Sequence, residues 1–212
     1  MAALGVVILA YLLGCFSTGY YLVRVRTGQD LRTIGSGATG GRNVARVLGP
    51  VGFLVTGAGD LAKAVVAVAV PIWFDLGPVA VGVAIVGVTA GHIWPIQLGF
   101  RGGKGVAPFV GSSALVAPIA LAVGAVIAAL LVLVSRRLNL GGLIGFALTP
   151  AAALLLGAPI PVVAGIAGSV VLMVVAHRSN LRAELGAAPG SSFRIPTGRS
   201  LRPASRGGRG GG

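Results

Sequence analysis

The stretch Gly91-His-Ile-Trp-Pro-Ile-Gln-Leu-Gly-Phe-Arg-Gly-Gly-Lys-Gly-Val106 sets a histidine, an arginine, a lysine and five glycines between two apolar runs. Glycine leaves the backbone open to close approach. Gly102, Gly103 and Gly105 are therefore expected to present bare amide N–H groups beside the cations Arg101 and Lys104. The apolar run after Gly105 supplies a helix N-terminus. Amides, cations and a helix N-terminus together make a receptor for an anion, most often phosphate. His92 belongs to the same set; its alternative is an interfacial histidine bonded to a backbone carbonyl. The stretch is not a P-loop. The first glycine of that motif would fall at Leu98, and Ser or Thr would be needed at Gly105.

Two other segments repeat this chemistry. Gly35-Ser-Gly-Ala-Thr-Gly40 has the spacing of a dinucleotide fingerprint, but no strand precedes it and no βαβ unit surrounds it. What remains is a glycine nest at Gly35 and Gly37, the Ser36 hydroxyl, Asn43, and the cations Arg42 and Arg46. The alternative is a solvated basic loop. The third segment is His177-Arg-Ser-Asn-Leu-Arg182. His177 and Asn180 are three apart, so they share a face if the helix continues. A neutral imidazole, with an ordinary pKa near 6.5, can take a proton from a hydroxyl. The alternative is a cationic helix cap.

The chain has no paired carboxylates, no Cys/His cluster with ligand spacing and no nucleophile elbow. No metal and no cofactor are expected. Cations and amides without a strong nucleophile suit transfer of a group between phosphorylated substrates, catalysed by positioning and charge stabilisation.

The elements that must carry these segments are membrane helices. Of 212 residues, 55% are hydrophobic and only four are acidic, which is too apolar for a soluble domain. The expectation is an all-α polytopic membrane protein, with a membrane domain over 1–186 and a disordered basic tail over 187–212. Residues 1–23 read as a retained first span, since they lack a signal-peptide cleavage site. A polar loop follows over 24–46, then spans over 47–74 and 79–98. The 31 residues of 105–135 would make a helix of about 46 Å, long for one span and short for two. Pro118 could divide them. Two more spans lie in 138–176, split at Pro159–Pro161. The one cysteine, Cys15, excludes an internal disulfide.

Charge decides the count. With a division at Pro118 there are seven spans. Every Arg, together with Lys104, then falls on one side, read as cytoplasmic, with the N-terminus outside. The net charge of +13 therefore speaks for topology, anionic lipid and anionic substrate rather than nucleic acid. Asp60 and Lys63, three apart within a span, share a helix face. They read either as an ion pair joining helices or as the lining of a polar path.

These motifs resemble the bacterial acyl-phosphate:glycerol-3-phosphate acyltransferase family. The resemblance is carried by Gly35-Ser-Gly37 with Asn43 and Arg46, then Gly91-His92, Pro95, Phe100 and Gly102-Gly-Lys-Gly-Val-Ala107, and last His177-Arg178 with Asn180. It covers the chain to about Gly186, and Asp60 with Lys63 matches an Asp-x-x-Lys of the family's second span. It implies movement of a fatty acyl group from acyl phosphate to the first hydroxyl of glycerol 3-phosphate, giving lysophosphatidic acid and phosphate. It also implies a multi-pass protein of the bacterial cell membrane with a cytoplasmic site, whose partners are membrane lipid and an acyl-phosphate-producing enzyme. Ser36, Arg46, Lys104, His177 and Asn180 would line the site, with substrate phosphate as part of the base. The chain departs from the family pattern at Ala38 (usually Asn), Arg42 (usually small or a hydroxyl), Pro108 (usually Thr) and Ala187-Ala-Pro189 (usually Gly-x-Glu). The alternatives are a transporter of an organic phosphate and a non-catalytic lipid-binding scaffold. The halves show no repeat of the kind common in transporters.

Overall fold

A computed structural model describes residues 2–186, and all regular secondary structure among them is helical. The expected basic tail, 187–212, lies outside the described residues. The helices are α1 (Ala2–Cys15), α2 (Thr18–Thr27), α3 (Gly41–Trp73), α4 (Gly77–Ile93), α5 (Val106–Val116), α6 (Pro118–Ser135), α7 (Leu138–Ala147), α8 (Thr149–Leu155) and α9 (Ile160–Gly186). Six segments are long and apolar enough to cross a membrane, α1 with α2 and α7 with α8 each counting once. The break expected at Pro118 is present, between α5 and α6. Its first half, α5, has 11 residues, about 16 Å, so it is shorter than a hydrocarbon core of about 30 Å.

Helix α4 is the centre of the bundle. Small residues let its neighbours come close, as membrane interfaces require. Gly14 and Gly91 face each other across α1 and α4, and a Cβ on Gly165 of α9 would press into the backbone of Gly82 of α4. Thr89 and Ser169 share a hydrogen bond of 2.9 Å across the α4–α9 contact. Phe109, Ile85, Ile166 and Met173 fill the space around these contacts.

Two helix boundaries differ from the sequence expectation. The first span breaks at Phe16–Ser17 and resumes as α2, which ends at Gly28 in the left-handed region (φ 72°). The carbonyls freed by the break are not left bare, which a membrane interior would penalise. Lys63 Nζ donates to those of Gly14 and Phe16, and Gln97 Nε2 to that of Cys15. The expected polar loop 24–46 shrinks to 28–40, because Gly41–Leu48 is already helical. Val44 and Val47 give that piece an apolar side, and Val44 is fully buried. A kink at Gly49 (φ 67°), followed by Pro50, separates it from the rest of α3.

Helix α9 has 27 residues, about 40 Å. It is longer than a hydrocarbon core of about 30 Å, and His177, Asn180 and Glu184 follow its apolar run, which ends at Ala176. The polar ends of α2, α3, α4, α7 and α9 meet at this one end of the bundle.

Candidate active site

The first loop is built around one amide. Asn43, 2% exposed, donates through Nδ2 to the carbonyls of Ile34 (2.8 Å), Ala38 (2.9 Å) and Leu31 (3.3 Å). Its Oδ1 accepts from the Ser36 backbone N–H and from Arg46. Asn43 thus has no capacity left for a ligand; it shapes the Gly35–Ser36–Gly37 nest and aims Arg46. Gly35 (φ 57°) and Gly37 (φ 69°) hold left-handed turns, and a side chain at Gly35 would strike the Arg46 guanidinium. Ser36 is exposed on this nest. Ala38 gives its carbonyl, so its short side chain does not cost the loop its brace.

The second loop folds back onto the end of α4. The Gly102 N–H donates to the Ile93 carbonyl (3.1 Å) and the Gly103 N–H to the His92 carbonyl (2.9 Å). This corrects the expectation of bare amides at Gly102 and Gly103: they are spent on α4. These glycines serve contact instead. A Cβ at Gly102 would meet the His92 carbonyl, and one at Gly103 the His92 ring. Gly105 (φ 86°) lies against Thr89, Ile93 and Met173, a turn below the end of α4. The loop therefore re-enters the bundle and delivers Lys104, half-buried, to its polar end. Pro108 sits in the first turn of α5, where a missing N–H costs nothing.

The two loops are tied together. Thr39 N–H donates to the Gly102 carbonyl (3.2 Å), and Arg32 donates to the Leu98 carbonyl (2.8 Å). Arg32 also grips Asp30 in a fork, which holds that carboxyl at a pKa of about 2.

The third side comes from α7 and α9. His177, buried, donates from Nδ1 to the Met173 carbonyl (2.8 Å), which leaves Nε2 as the acceptor. Asn180 Nδ2 donates to Asn139 Oδ1 (3.3 Å), which also accepts from Arg42 (3.3 Å). Glu184 caps the start of α7, accepting from the Asn139 and Leu140 backbone N–H groups and from Asn139 Nδ2.

Arg42 and Arg46 are close enough to Lys104 to act on its charge, and Lys104, Arg42 and Glu184 act on His177. Partial burial, then Arg42 and Arg46, lower the Lys104 pKa to about 8. Among the described residues, no carboxylate forms an ion pair with Lys104, Arg42 or Arg46. Among the described residues, Asp30 is held by Arg32, Asp60 by Lys63 and Glu184 by the start of α7. Arg42 and Arg46 are oriented by neutral amides, so their charge stays available.

Arg101, another expected ligand, lines a cleft of about 370 Å³ with Asp30, Arg32, Thr33, Leu98 and Gly99. His92, 4% exposed, lies inside the bundle with Asp60 and Lys63. That pair is not an open path, since Lys63 is engaged by Gly14, Phe16, Asp60 and His92. Sequence reasoning missed Arg32, Asn139 and Glu184. The signal for Glu184 was its spacing, seven residues after His177 on the same helical face.

The glycerol-3-phosphate acyltransferase family model matches residues 4–186. Glycerol-3-phosphate acyltransferase 1 of Desulfitobacterium hafniense is 42% identical over 173 residues, which is 82% of this chain and 86% of that protein. The glycerol-3-phosphate acyltransferase of Synechococcus elongatus is 37% identical over 210 residues, 94% of this chain and 99% of that one. A crystal structure of PlsY (YgiH), an integral membrane glycerol 3-phosphate acyltransferase, in its glycerol 3-phosphate form superposes with a TM-score of 0.79. It is 27% identical and covers 87% of this chain and 92% of that one. With its three polar segments gathered at one end of a membrane bundle, the chain belongs to the glycerol-3-phosphate acyltransferase family.

Proposed function

We propose that this membrane protein transfers an acyl group from acyl phosphate to the first hydroxyl of glycerol 3-phosphate. The observation that carries the reading is the group Lys104, Arg42 and Arg46 near His177, with none of the three cations in an ion pair with a carboxylate among the described residues. Lys104 and Arg46 hold phosphate, with Arg42 and the Ser36 nest completing the receptor. His177 Nε2 and Asn180 orient the attacking hydroxyl. The hydroxyl oxygen forms the new bond to the acyl carbonyl carbon, and the carbon–oxygen bond to phosphate breaks. The hydroxyl proton leaves with the phosphate, directly or through His177. Lysophosphatidic acid and inorganic phosphate result, and the charge that develops is met by fixed cations.

The polar end faces the cytoplasm of a bacterial cell, with the chain in the cell membrane. The support is that every Arg of the described residues lies at that end, whereas the α3–α4 turn opposite carries Asp75. Acyl phosphate then arrives from the same side, where an acyl-phosphate-producing enzyme supplies it. The test is direct. Purified protein in detergent is given acyl phosphate and radiolabelled glycerol 3-phosphate. Lysophosphatidic acid and phosphate in equal amounts support the reading, and absence of both products removes it.

A further inference from the structure

A buried polar cluster between α1, α3 and α4 stands apart from the cation group, yet it backs onto the loop that carries Lys104. Lys63 Nζ lies 3.0 Å from Asp60 Oδ1 and 3.1 Å from His92 Nδ1. It donates to the carbonyls of Gly14 (2.8 Å) and Phe16 (2.5 Å). The Thr18 hydroxyl donates to Asp60 Oδ1 (3.2 Å). Burying such a pair is costly, and apolar packing of the same volume serves stability as well or better. Stability alone therefore does not account for it.

What the cluster does is fix a ring. With Nδ1 held by Lys63, the imidazole lies against Gly103 so closely that an added Cβ there would meet Nε2, Cε1 and Cδ2. The same two residues are joined by the Gly103 N–H to His92 carbonyl bond. The next residue is Lys104. Tyr11, through the Trp94 carbonyl (2.8 Å), and Gln97, through the Cys15 carbonyl (2.5 Å), brace the same corner from α1.

We propose that Asp60, Lys63 and His92 are positioning residues that set the height of Lys104 at the polar end by propping Gly103. None of them touches substrate. The catalytic consequence rests on the function proposed above; the propping does not.

The chain has only two lysines, Lys63 and Lys104, so an amine-reactive ester followed by mass spectrometry reads Lys104 cleanly in the folded protein. Lys63→Met and His92→Ala are expected to change the Lys104 labelling rate by about threefold or more, the change in free amine that half a pKa unit brings. Both are expected to raise KM for glycerol 3-phosphate by about tenfold or more, as displaced positioning groups do. Gly124→Ala, whose added Cβ would meet Thr149 and the Gly145 carbonyl between α6, α7 and α8, away from this cluster and loop, is expected to lower Tm and leave both readings alone. Folded Lys63→Met and His92→Ala with unchanged labelling and unchanged KM would overturn the proposal.

Should Lys63→Met not fold, a double-mutant cycle of His92→Ala and Gly103→Ala tests the same contact. Departure from additivity by about threefold or more in labelling supports it, and additive effects refute it. If labelling shifts while wild type makes no lysophosphatidic acid, the propping stands and the function reading falls. If wild type is active and labelling does not move, the reverse holds.

Discussion

Asn43 Oδ1 accepts from the Arg46 guanidinium at 3.1 Å, so a neutral amide aims this cation without neutralising it. The same side chain fastens Leu31, Ile34 and Ala38. Asn43→Ala is expected to orphan those carbonyls at a cost of about 1–3 kcal/mol and to release Arg46. Asn43→Asp keeps the shape but places a carboxylate on Arg46 and loses the donors. Both should lower kcat/KM by about a hundredfold, with the Asp variant no better than Ala. Steady-state kinetics beside Tm checks this; an active Asn43→Asp would show that the Arg46 charge is not used.

Gly35 and Gly28 both sit at positive φ but differ in surroundings. A Cβ at Gly35 meets Arg46 and Asn43, whereas nothing lies within 4 Å of one at Gly28. Each Gly→Ala change carries about 1–2 kcal/mol of backbone strain. Only Gly35→Ala is expected to abolish activity as well. Equal activities for the two variants would remove Arg46 from the site.

Lys104 has its pKa lowered to about 8 by partial burial and by Arg42 and Arg46. A lowered pKa on a cation means that charge is lost as pH rises through that value. kcat/KM for glycerol 3-phosphate should therefore fall above pH about 8, because this ratio reports the free enzyme. Lys104→Arg stays charged, so whatever activity it retains should lack this alkaline limb. An unchanged limb in the Arg variant would assign it to another group.

Glu184 caps α7 from two turns beyond His177, with bonds of 3.0 and 2.9 Å to the Asn139 and Leu140 N–H groups. Glu184→Ala should cost about 1–3 kcal/mol and lower Tm. Glu184→Gln should lose less, since it keeps an acceptor. The activity loss should follow Asn139, which holds both Arg42 and Asn180. Asn139→Ala should therefore reproduce that loss with a smaller fall in Tm.

Much of this architecture was readable from composition. Proline and arginine placement gave the break at Pro118, and the continuation of α9 puts His177 and Asn180 on one face. The glycines of the second loop were misread for a physical reason. Sequence shows that a residue lacks a side chain but not what lies where the Cβ would be. At Gly103 that is the His92 ring rather than a phosphate. Arg42 and Arg46 looked like loop residues because charge and neighbouring glycine masked the Val44 and Val47 stripe. Arg32 reaches the Leu98 carbonyl and Asn139 reaches Arg42 across 66 and 97 residues of the chain, pairings that local spacing cannot display.

The central claim is that Lys104, from the loop before α5, and Arg46, from the first turns of α3, grip one phosphate. It is tested by a double-mutant cycle on glycerol 3-phosphate binding with Lys104→Ala, Arg46→Ala and the pair, measured by calorimetry in detergent. Shared contact predicts that the double variant binds about tenfold tighter than the product of the single losses implies. Strict additivity, or binding that survives Lys104→Ala unchanged, contradicts the claim.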